Sequence, residues 1–263
     1  MPAAAVYMGK MMTGEKHSFI DDAFCHDAGT DRGDFNYYGR NMLFTGNEPI
    51  HILFDANGDN IPDLCVCNGN SSPPPGGYVH NDLLYFSDSS GNFTNPVPLM
   101  GCTNLLDKHS SIAAADFDAD GDIDLFVGTY SQPGMYGYAC SSYILQNNGY
   151  GIFTDITASV CPGIIQCGVV TDACWIDYDK DGLPDLAVAG EYLNVKIFHN
   201  NGGRLEAGNM PGLQNSGGKW SRLHVADVND DGYPDIVLQD RKNCRLVVAL
   251  NNSKGDFVLM PLQ

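Results

Sequence analysis

Basic side chains are scarce in this chain of 263 residues. It carries 14 lysines and arginines against 32 aspartates and glutamates, so its formal net charge at pH 7 is −18. A surface this acidic repels phosphate backbones, which makes nucleic acid and anionic membrane surfaces poor candidates for partners. The sequence also has no apolar run of the roughly 18 residues that a membrane-spanning helix needs, so we expect no membrane insertion.

The short motifs of common catalytic and metal centres are also missing. The sequence has no Gly-x-Ser-x-Gly, no His-Glu-x-x-His and no glycine-rich phosphate loop, and its seven histidines show no motif spacing. No Cys-x-x-Cys pair is present, so the cysteine pattern gives no support for zinc. We therefore expect a protein that is not an enzyme.

Nine cysteines are present, and an odd number leaves at least one unpaired within the chain. Cys161 and Cys167 bracket a short Pro-Gly loop, which makes them the first candidates for a disulfide. Cys65 and Cys67 are poor candidates for pairing with each other, because residues i and i+2 of a strand point to the same face without bridging geometry. Buried thiols that act as small hydrophobic side chains are the alternative for all nine.

An acidic nine-residue segment occurs four times without gaps. Each copy has an acidic or amide side chain at positions 1, 3, 5 and 9, and the first aspartates are 61, 61 and 50 residues apart. Apolar residues precede and follow every copy, so the segment is predicted to be the loop of a β-hairpin. The four copies are residues 55–63, 116–124, 177–185 and 227–235.

A second motif follows each acidic loop. Asn-Asn or a substitute stands between two apolar runs, and asparagine and glycine are typical of tight turns because they tolerate positive φ. Two predicted hairpins in each repeat give about four strands, which is the content of one propeller blade. The second motif covers residues 83–93, 143–153, 195–205 and 246–257.

The first two repeats are longer than the last two between the acidic loop and the second motif. The extra residues are 69–80 and 129–140, and both segments contain glycine, proline and tyrosine. Insertions at the same repeat position fall on one face of a repeat array, and that face is often the binding face. Because aromatic side chains are favoured at interfaces, the candidate ligand contacts are Tyr78, Tyr136 and Tyr138.

The acidic loop has the donor set of a calcium site. Calcium takes six to eight hard oxygen ligands, and a loop with oxygen-bearing side chains at positions 1, 3, 5 and 9 and a backbone carbonyl at position 7 can surround it. Glycine at position 6 permits the sharp turn, and Asn60 replaces it in the first loop. The predicted ligands of Ca²⁺ are Asp55, Asn57, Asp59, Ile61 and Asp63; Asp116, Asp118, Asp120, Asp122 and Asp124; Asp177, Asp179, Asp181, Leu183 and Asp185; and Asp227, Asn229, Asp231, Tyr233 and Asp235.

These motifs resemble the FG-GAP/VCBS repeat family, whose members include the propeller of integrin α-chains. The resemblance covers about residues 45–263 and implies an all-β fold: a β-propeller, or part of one, with about four to five four-stranded blades and calcium-binding hairpin loops. Seven blades are usual in that family, and this chain has material for four, or for five if residues 1–44 form a degenerate blade. A closing strand is the alternative for residues 1–44. The alternatives are a small closed ring, a fragment of a larger propeller, and an open array that meets another copy.

The predicted calcium loops and possible disulfides favour an extracellular or cell-surface location. The expected role is non-catalytic adhesion or ligand binding, and the ligand is a protein or a carbohydrate, as in a lectin. A glycan-active enzyme of the propeller lyase type is the first alternative. The second is a purely structural segment of a larger surface protein.

Overall fold

The structure is a computed structural model that describes residues 32–37, 40–45, 50–67, 82–94, 96–99, 101, 107–132, 134–242 and 245–261. Within these ranges, four four-stranded antiparallel sheets follow one another along the chain, and each is a meander of sequential strands. We call each of them a blade. A separate two-stranded sheet precedes them, formed by β1 (Arg32–Tyr37) and β2 (Arg40–Thr45).

The strands of each blade follow the order that the repeat pattern predicted. Blade 1 contains β3 (Ile50–Phe54), β4 (Asp63–Cys67), β5 (Leu83–Tyr85) and β6 (Val97–Pro98). Blade 2 contains β7 (Lys108–Ala115), β8 (Asp124–Ser131), β9 (Tyr143–Asn147) and β10 (Phe153–Asp155). Blade 3 contains β11 (Val169–Ile176), β12 (Asp185–Glu191), β13 (Lys196–Asn200) and β14 (Leu205–Ala207). Blade 4 contains β15 (Trp220–Ala226), β16 (Asp235–Asp240), β17 (Leu246–Asn251) and β18 (Phe257–Pro261).

Helical structure in the described ranges is confined to the connections between blades. The α-helix α1 (Thr157–Val160) and a 3₁₀ turn (Pro162–Ile164) lead from blade 2 to blade 3, and a second 3₁₀ turn (Pro211–Leu213) leads to blade 4. None of the helical segments described is long and apolar enough to cross a membrane. The all-β prediction with four four-stranded repeats is confirmed. The total blade number, the closure of a ring and the division at residue 44 stay predictions.

The hydrophobic core lies between successive blades, where the first strands β3, β7, β11 and β15 pack side by side. Side chains of one acidic loop enter the core of the next blade: Phe117 of blade 2 stacks on Trp175 of blade 3, with ring centroids 5.9 Å apart. Tyr178 of blade 3 in turn contacts Phe257 of blade 4. Each blade therefore buries its apolar faces against its neighbours along the chain, as in other repeat proteins.

The predicted Cys161–Cys167 disulfide is wrong: both residues are thiols. Cys161 is completely buried in the core between blades 2 and 3, where it packs as a small apolar side chain. Burial raises the pKa of the Cys161 thiol to about 12 and that of Cys167 to about 11, which makes both poor nucleophiles. Cys65 and Cys67 do not pair with each other, as predicted.

Candidate calcium loops and the opposite face

Every acidic loop joins the first strand of a blade to its second strand. Position 9 of each loop is the first residue of the second strand, and it pairs with the last residue of the first strand, for example Phe54 with Asp63 and Ala115 with Asp124. The alternation of apolar residues around the loop fixes this register. All side chains predicted as calcium ligands therefore lie in four equivalent hairpin loops.

The four loops share one hydrogen-bond pattern. In loop 2 the Asp116 carboxylate accepts the Gly121 N–H at 3.1 Å, and the Asp120 carboxylate accepts the Asp122 N–H at 3.0 Å. These bonds connect positions 1 to 6 and 5 to 7, and they curl the backbone around the carboxylates, so that position 7 is held close to position 5. The same two bonds occur in loop 1 at 2.7 and 2.8 Å, in loop 3 at 3.1 and 2.8 Å and in loop 4 at 2.7 and 2.8 Å.

Two positions of each loop have left-handed backbone. Position 6 is one of them, as predicted, with Asn60 at φ 63° and glycine in the other three loops. Position 4 is the other, and the sequence pattern did not predict it: Gly58 occupies it in loop 1, but Ala119 in loop 2 has φ 61°. Left-handed backbone costs a residue with a Cβ roughly 1–2 kcal/mol. The hydrogen bonds of the loop hold this conformation.

The aspartate at position 9 is buried completely in every loop. One of its oxygens accepts a backbone N–H from the second motif of the same blade, at 2.7–2.8 Å. In loop 2, burial raises the pKa of Asp124 to about 7, and the hydrogen bond from the Asn147 N–H lowers it by a smaller amount. Burial likewise raises the pKa of Asp185 to about 6. A bound dication would reverse these shifts, because it favours the ionised carboxylates.

Loops 2 and 3 bring three carboxylates to one point. One oxygen each of Asp116, Asp118 and Asp124 lies within 4.8 Å of the others, and loop 3 places Asp177, Asp179 and Asp185 in the same way. Oδ1 of Asp118 and Oδ1 of Asp177 are among the buried oxygens of these loops that have no hydrogen-bond partner among the described residues. Such orphaned acceptors fit a hard cation such as Ca²⁺.

Loops 1 and 4 differ because position 3 is asparagine. The Asn57 amide donates to Asp59 at 3.2 Å, and the Asn229 amide donates to Asp231 at 2.9 Å. At positions 1, 3, 5 and 9, each of these loops therefore has one carboxylate fewer than loops 2 and 3. Since charge count tunes calcium affinity, these two loops have the weaker donor sets.

A polar side chain of the third strand touches the carboxylates of loops 2 and 3. In blade 2 the Gln146 amide donates to Asp118 at 2.7 Å. In blade 3 the ring Nδ1 of His199 lies 3.1 Å from Asp185 and 3.4 Å from Asp179. These residues lie outside the loop motif, so the nine-residue spacing did not identify them.

Asparagine side chains of the second motif join neighbouring blades. The amide of Asn147 donates to the Ala56 carbonyl of blade 1 at 2.9 Å, and the amide of Asn200 donates to the Phe117 carbonyl of blade 2 at 2.7 Å. Asn251 donates to Tyr178 of blade 3 in the same way, at 2.7 Å. In each case the acceptor is position 2 of the preceding acidic loop. The sequence pattern predicted only a turn at these asparagines.

The opposite end of the blades carries a polar network that spans three blades. Buried Glu191 of blade 3 accepts hydrogen bonds from Tyr136 at 2.9 Å and Tyr130 at 3.1 Å, both on blade 2. Arg241 of blade 4 donates to Glu191 at 2.8 Å and to Tyr130 at 3.0 Å. We call this region, with Tyr138 and Tyr192, the tyrosine face. Tyr136 and Tyr138 are each 64 % exposed, and Tyr192 is 76 % exposed.

The tyrosine face contains two of the three predicted ligand contacts. Tyr78 and the insertion 69–80 lie outside the described residues. The second insertion is shorter than predicted, because residues 129–131 belong to β8 and the loop starts at residue 132. Glu191 itself had no signal in the sequence, because its partners lie 50–61 residues away along the chain.

Glu191 stays ionised near neutral pH. Burial raises its pKa, but the hydrogen bonds from Tyr136, Arg241 and Tyr130 outweigh that effect, and the net pKa lies below the usual value for glutamate. Hydrogen bonds to Tyr130 and to Glu191 raise the pKa of Tyr136. The network therefore consists of a fixed carboxylate, a guanidinium and neutral phenols.

Comparison with known proteins gives a family match and several distant similarities. The family model described as FG-GAP-like repeat matches residues 55–127 and 177–238, which together make up just over half of the chain. Phosphatidylinositol-glycan-specific phospholipase D of Rattus norvegicus is 26 % identical over 234 residues, which cover 79 % of this chain. The match covers 26 % of that enzyme, so this chain spans about a quarter of its length.

Two solved structures illustrate the structural similarity. A lectin of Agrocybe aegerita that recognises non-reducing terminal N-acetylglucosamine has 20 % identity and a TM-score of 0.49, covering 85 % of this chain and 53 % of the lectin chain. A rhamnogalacturonan lyase of Bacillus licheniformis has 16 % identity and a TM-score of 0.45, covering 88 % of this chain and 51 % of the lyase chain. The matched residues 55–127 and 177–238 include all four acidic loops completely. The chain belongs to the FG-GAP-like repeat family.

Proposed function

We propose that this chain is a non-catalytic, calcium-loaded binding module of the extracellular space or the cell surface, and that the tyrosine face holds a carbohydrate ligand. The observation that carries the ligand proposal is the network of Tyr136, Glu191 and Arg241, which fixes exposed aromatic rings beside ionised groups across three blades. In this proposal the calcium ions are structural, and the ligand binds at the other end of the blades.

The donor chemistry of the loops supports calcium. Four loops with the same hydrogen-bond pattern present oxygen donors alone, and calcium prefers six to eight such ligands, whereas magnesium tolerates so many protein ligands poorly. The side chains of positions 1, 3, 5 and 9 would hold the ion, with the carbonyl of position 7. A bound dication would neutralise the clustered carboxylates and pin the hairpin. Extracellular modules bind calcium with Kd of about 10⁻⁴–10⁻³ M, so a calcium-rich compartment suits them.

The composition of the tyrosine face supports a carbohydrate. Exposed aromatic rings offer flat apolar surfaces, and the ionised Glu191 and Arg241 offer fixed acceptor and donor groups for hydroxyls. The Lys219 ammonium lies 5.0 Å from the centre of the Tyr192 ring, which holds that ring in place from blade 4. A site with rigid aromatic rings and a few placed polar groups is typical of small-ligand recognition.

The carboxyl chemistry favours binding over catalysis. Outside the acidic loops, Asp172 is the described carboxyl group with a raised pKa, which burial causes. Its oxygens accept the backbone N–H groups of Leu223 and Ala173, so Asp172 joins blades 3 and 4. Glu191 has a lowered pKa and would not act as a general acid near neutral pH. Both observations support a non-catalytic role.

A glycan array in millimolar calcium tests the proposal. We expect the wild type to bind a defined set of glycans and Tyr136→Ala to lose that binding. Tyr150→Ala is the matched control, because Tyr150 is 76 % exposed but lies in the turn between β9 and β10, at the calcium-loop end. We expect Tyr150→Ala to bind like the wild type.

Three results would contradict the proposal. The first is an array on which the wild type binds no glycan. The second is an equal loss of binding in both tyrosine variants, which would place the ligand elsewhere. The third is turnover of a bound glycan into a cleaved product, which would make the chain an enzyme. Binding to a protein on a parallel matrix-protein array, without any glycan, would replace the carbohydrate by a protein ligand.

A further inference from the structure

Three side chains of different chemistry meet where blade 1 packs against blade 2. Cys67 is the last residue of β4, Asp82 immediately precedes β5, and His109 lies in β7. All three are more than nine-tenths buried, with exposed fractions of 0 %, 6 % and 4 %. They belong to neither the acidic loops nor the tyrosine face.

The geometry of this cluster suits a metal ion. One ligand atom from each residue, the Cys67 sulfur, an Asp82 carboxylate oxygen and a ring nitrogen of His109, lies within 4.8 Å of the others. The His109 Nδ1 is 2.7 Å from the Asp82 Oδ2. The other ring nitrogen of His109 is buried and has no hydrogen-bond partner among the described residues. A bound metal ion would satisfy a buried imidazole nitrogen of this kind.

An irregular strand directs His109 into the cluster. The pairing of β7 with β8 shifts register on both sides of His109, between Lys108 and His109 and again before Ser111. Blades 3 and 4 have a single shift at this place, between Val170 and Asp172 and between Trp220 and Arg222. β-bulges redirect side chains and are frequent near functional sites. The second shift is specific to the blade that carries His109.

The repeats supply an internal comparison. The strand registers place the residues equivalent to Cys67, Asp82 and His109 at the two other blade interfaces as well. There the three positions hold small, hydroxyl or apolar residues, which need no ion to be buried. The equivalents are Gly128, Ser142 and Val170 between blades 2 and 3, and Ala189, Val195 and Trp220 between blades 3 and 4.

We propose that Cys67, Asp82 and His109 bind one Zn²⁺ ion at the interface of blades 1 and 2. A thiolate, an imidazole and a carboxylate are the ligand types that zinc takes, and three protein ligands leave one position for water or a further donor. The two anionic ligands would balance the charge of the dication, so that the buried site is neutral. Calcium prefers oxygen donors alone and does not suit the thiolate.

The zinc site is separate from the calcium loop of its own blade. Cys67 follows the loop residue Asp63 by four positions along β4, which corresponds to about 13 Å at 3.3 Å per residue. The two sites therefore share no ligand, and their donor chemistries select different metals. Zinc would join β4 and the start of β5 in blade 1 to β7 in blade 2.

Cobalt substitution tests the site. The reduced protein is stripped of transition metals with 1,10-phenanthroline, which is then removed, and kept in millimolar calcium so that the acidic loops are occupied. Titration with Co²⁺ is expected to give a thiolate-to-cobalt charge-transfer band in the near ultraviolet that saturates at one equivalent. Zn²⁺ is expected to abolish the band by displacement.

Variants locate the ligands. We expect Cys67→Ser to abolish the charge-transfer band, and His109→Gln to weaken Co²⁺ binding by more than the roughly 10–100-fold that loss of an outer-shell partner costs. Cys65→Ser is the matched control, because Cys65 is equally buried and lies two residues earlier on β4. It should retain the band.

A wild type without the band at stoichiometric Co²⁺ would overturn the proposal, whether or not the variants fold. A band that persists in Cys67→Ser would overturn it as well, because another thiol would then be the ligand. Circular dichroism shows whether each variant folds. If Cys67→Ser does not fold, Asp82→Asn is the further ligand variant.

Discussion

Asn200→Ala removes one of the side chains that join neighbouring blades. The Asn200 amide donates to the Phe117 carbonyl of blade 2 at 2.7 Å and to the Pro184 carbonyl of its own loop at 3.0 Å. Its side-chain oxygen accepts the Gly203 N–H at 2.9 Å. Asn200 and Phe117 are both completely buried, so alanine would leave the Phe117 carbonyl in the core without its donor.

The cost follows from these unsatisfied groups. A buried polar group that loses its partner costs about 1–3 kcal/mol. The Phe117 carbonyl is such a group, and the partly buried Pro184 carbonyl and Gly203 N–H cost less. We therefore expect a loss of about 3 kcal/mol in the free energy of unfolding. For a chain of this size, that corresponds to a fall in Tm of roughly 6–12 °C. The exposed neighbour Asn201 is the matched control, and Asn201→Ala is expected to change the stability by less than about 0.5 kcal/mol.

Urea denaturation in saturating calcium measures both variants. Tryptophan fluorescence is suitable because Trp175 contacts Phe117 and so reports on the interface of blades 2 and 3. If Asn200→Ala and Asn201→Ala unfold at the same urea concentration, the asparagine does not join the blades in the way described.

Three further predictions concern the acidic loops. Ala119→Gly is expected to raise the free energy of unfolding by about 0.5–1 kcal/mol, because glycine relieves the strain of the left-handed backbone. The control Ala114→Gly, in the extended strand β7, should lower the free energy of unfolding. Equal effects of the two substitutions in urea denaturation would show that Ala119 is not strained. Metal-stripped protein should melt at a higher temperature at pH 5 than at pH 8, because the pKa of Asp124 is about 7 in the folded state and 3.8 ordinarily. The protonated carboxyl therefore contributes stability that is complete below pH 3.8 and is lost as the pH rises through 7. An equal or lower Tm at pH 5 would contradict this. Asp120→Ala should lower Tm in calcium by more than Tyr136→Ala does, and equal losses would argue against Asp120 as a ligand.

The sequence could predict the acidic loops because their hydrogen bonds are local. The side chain of position 1 accepts the N–H of position 6, and that of position 5 accepts the N–H of position 7, all within one nine-residue segment. The spacing of the acidic side chains therefore predicts the loop conformation. Position 4 was missed because its left-handed backbone is imposed by the loop. Ala119 and Lys180 adopt it although neither residue favours it.

The contacts between blades could not be predicted in the same way. Asn200 and its acceptor Phe117 are 83 residues apart, and Tyr136 and Glu191 are 55 residues apart. Such pairs depend on how successive sheets pack, which no local pattern determines. The Cys161–Cys167 prediction failed for a related reason, since the spacing permits a disulfide but the core between blades 2 and 3 takes up Cys161 as an apolar side chain.

Calorimetric titration of the metal-stripped protein with Ca²⁺ tests the central claim most directly. Four equivalent loops predict about four bound ions per chain, with loops 2 and 3 filling before loops 1 and 4, whose asparagines remove one carboxylate each. Heat that remains at the dilution baseline up to several millimolar calcium would contradict the claim that these hairpins are calcium sites.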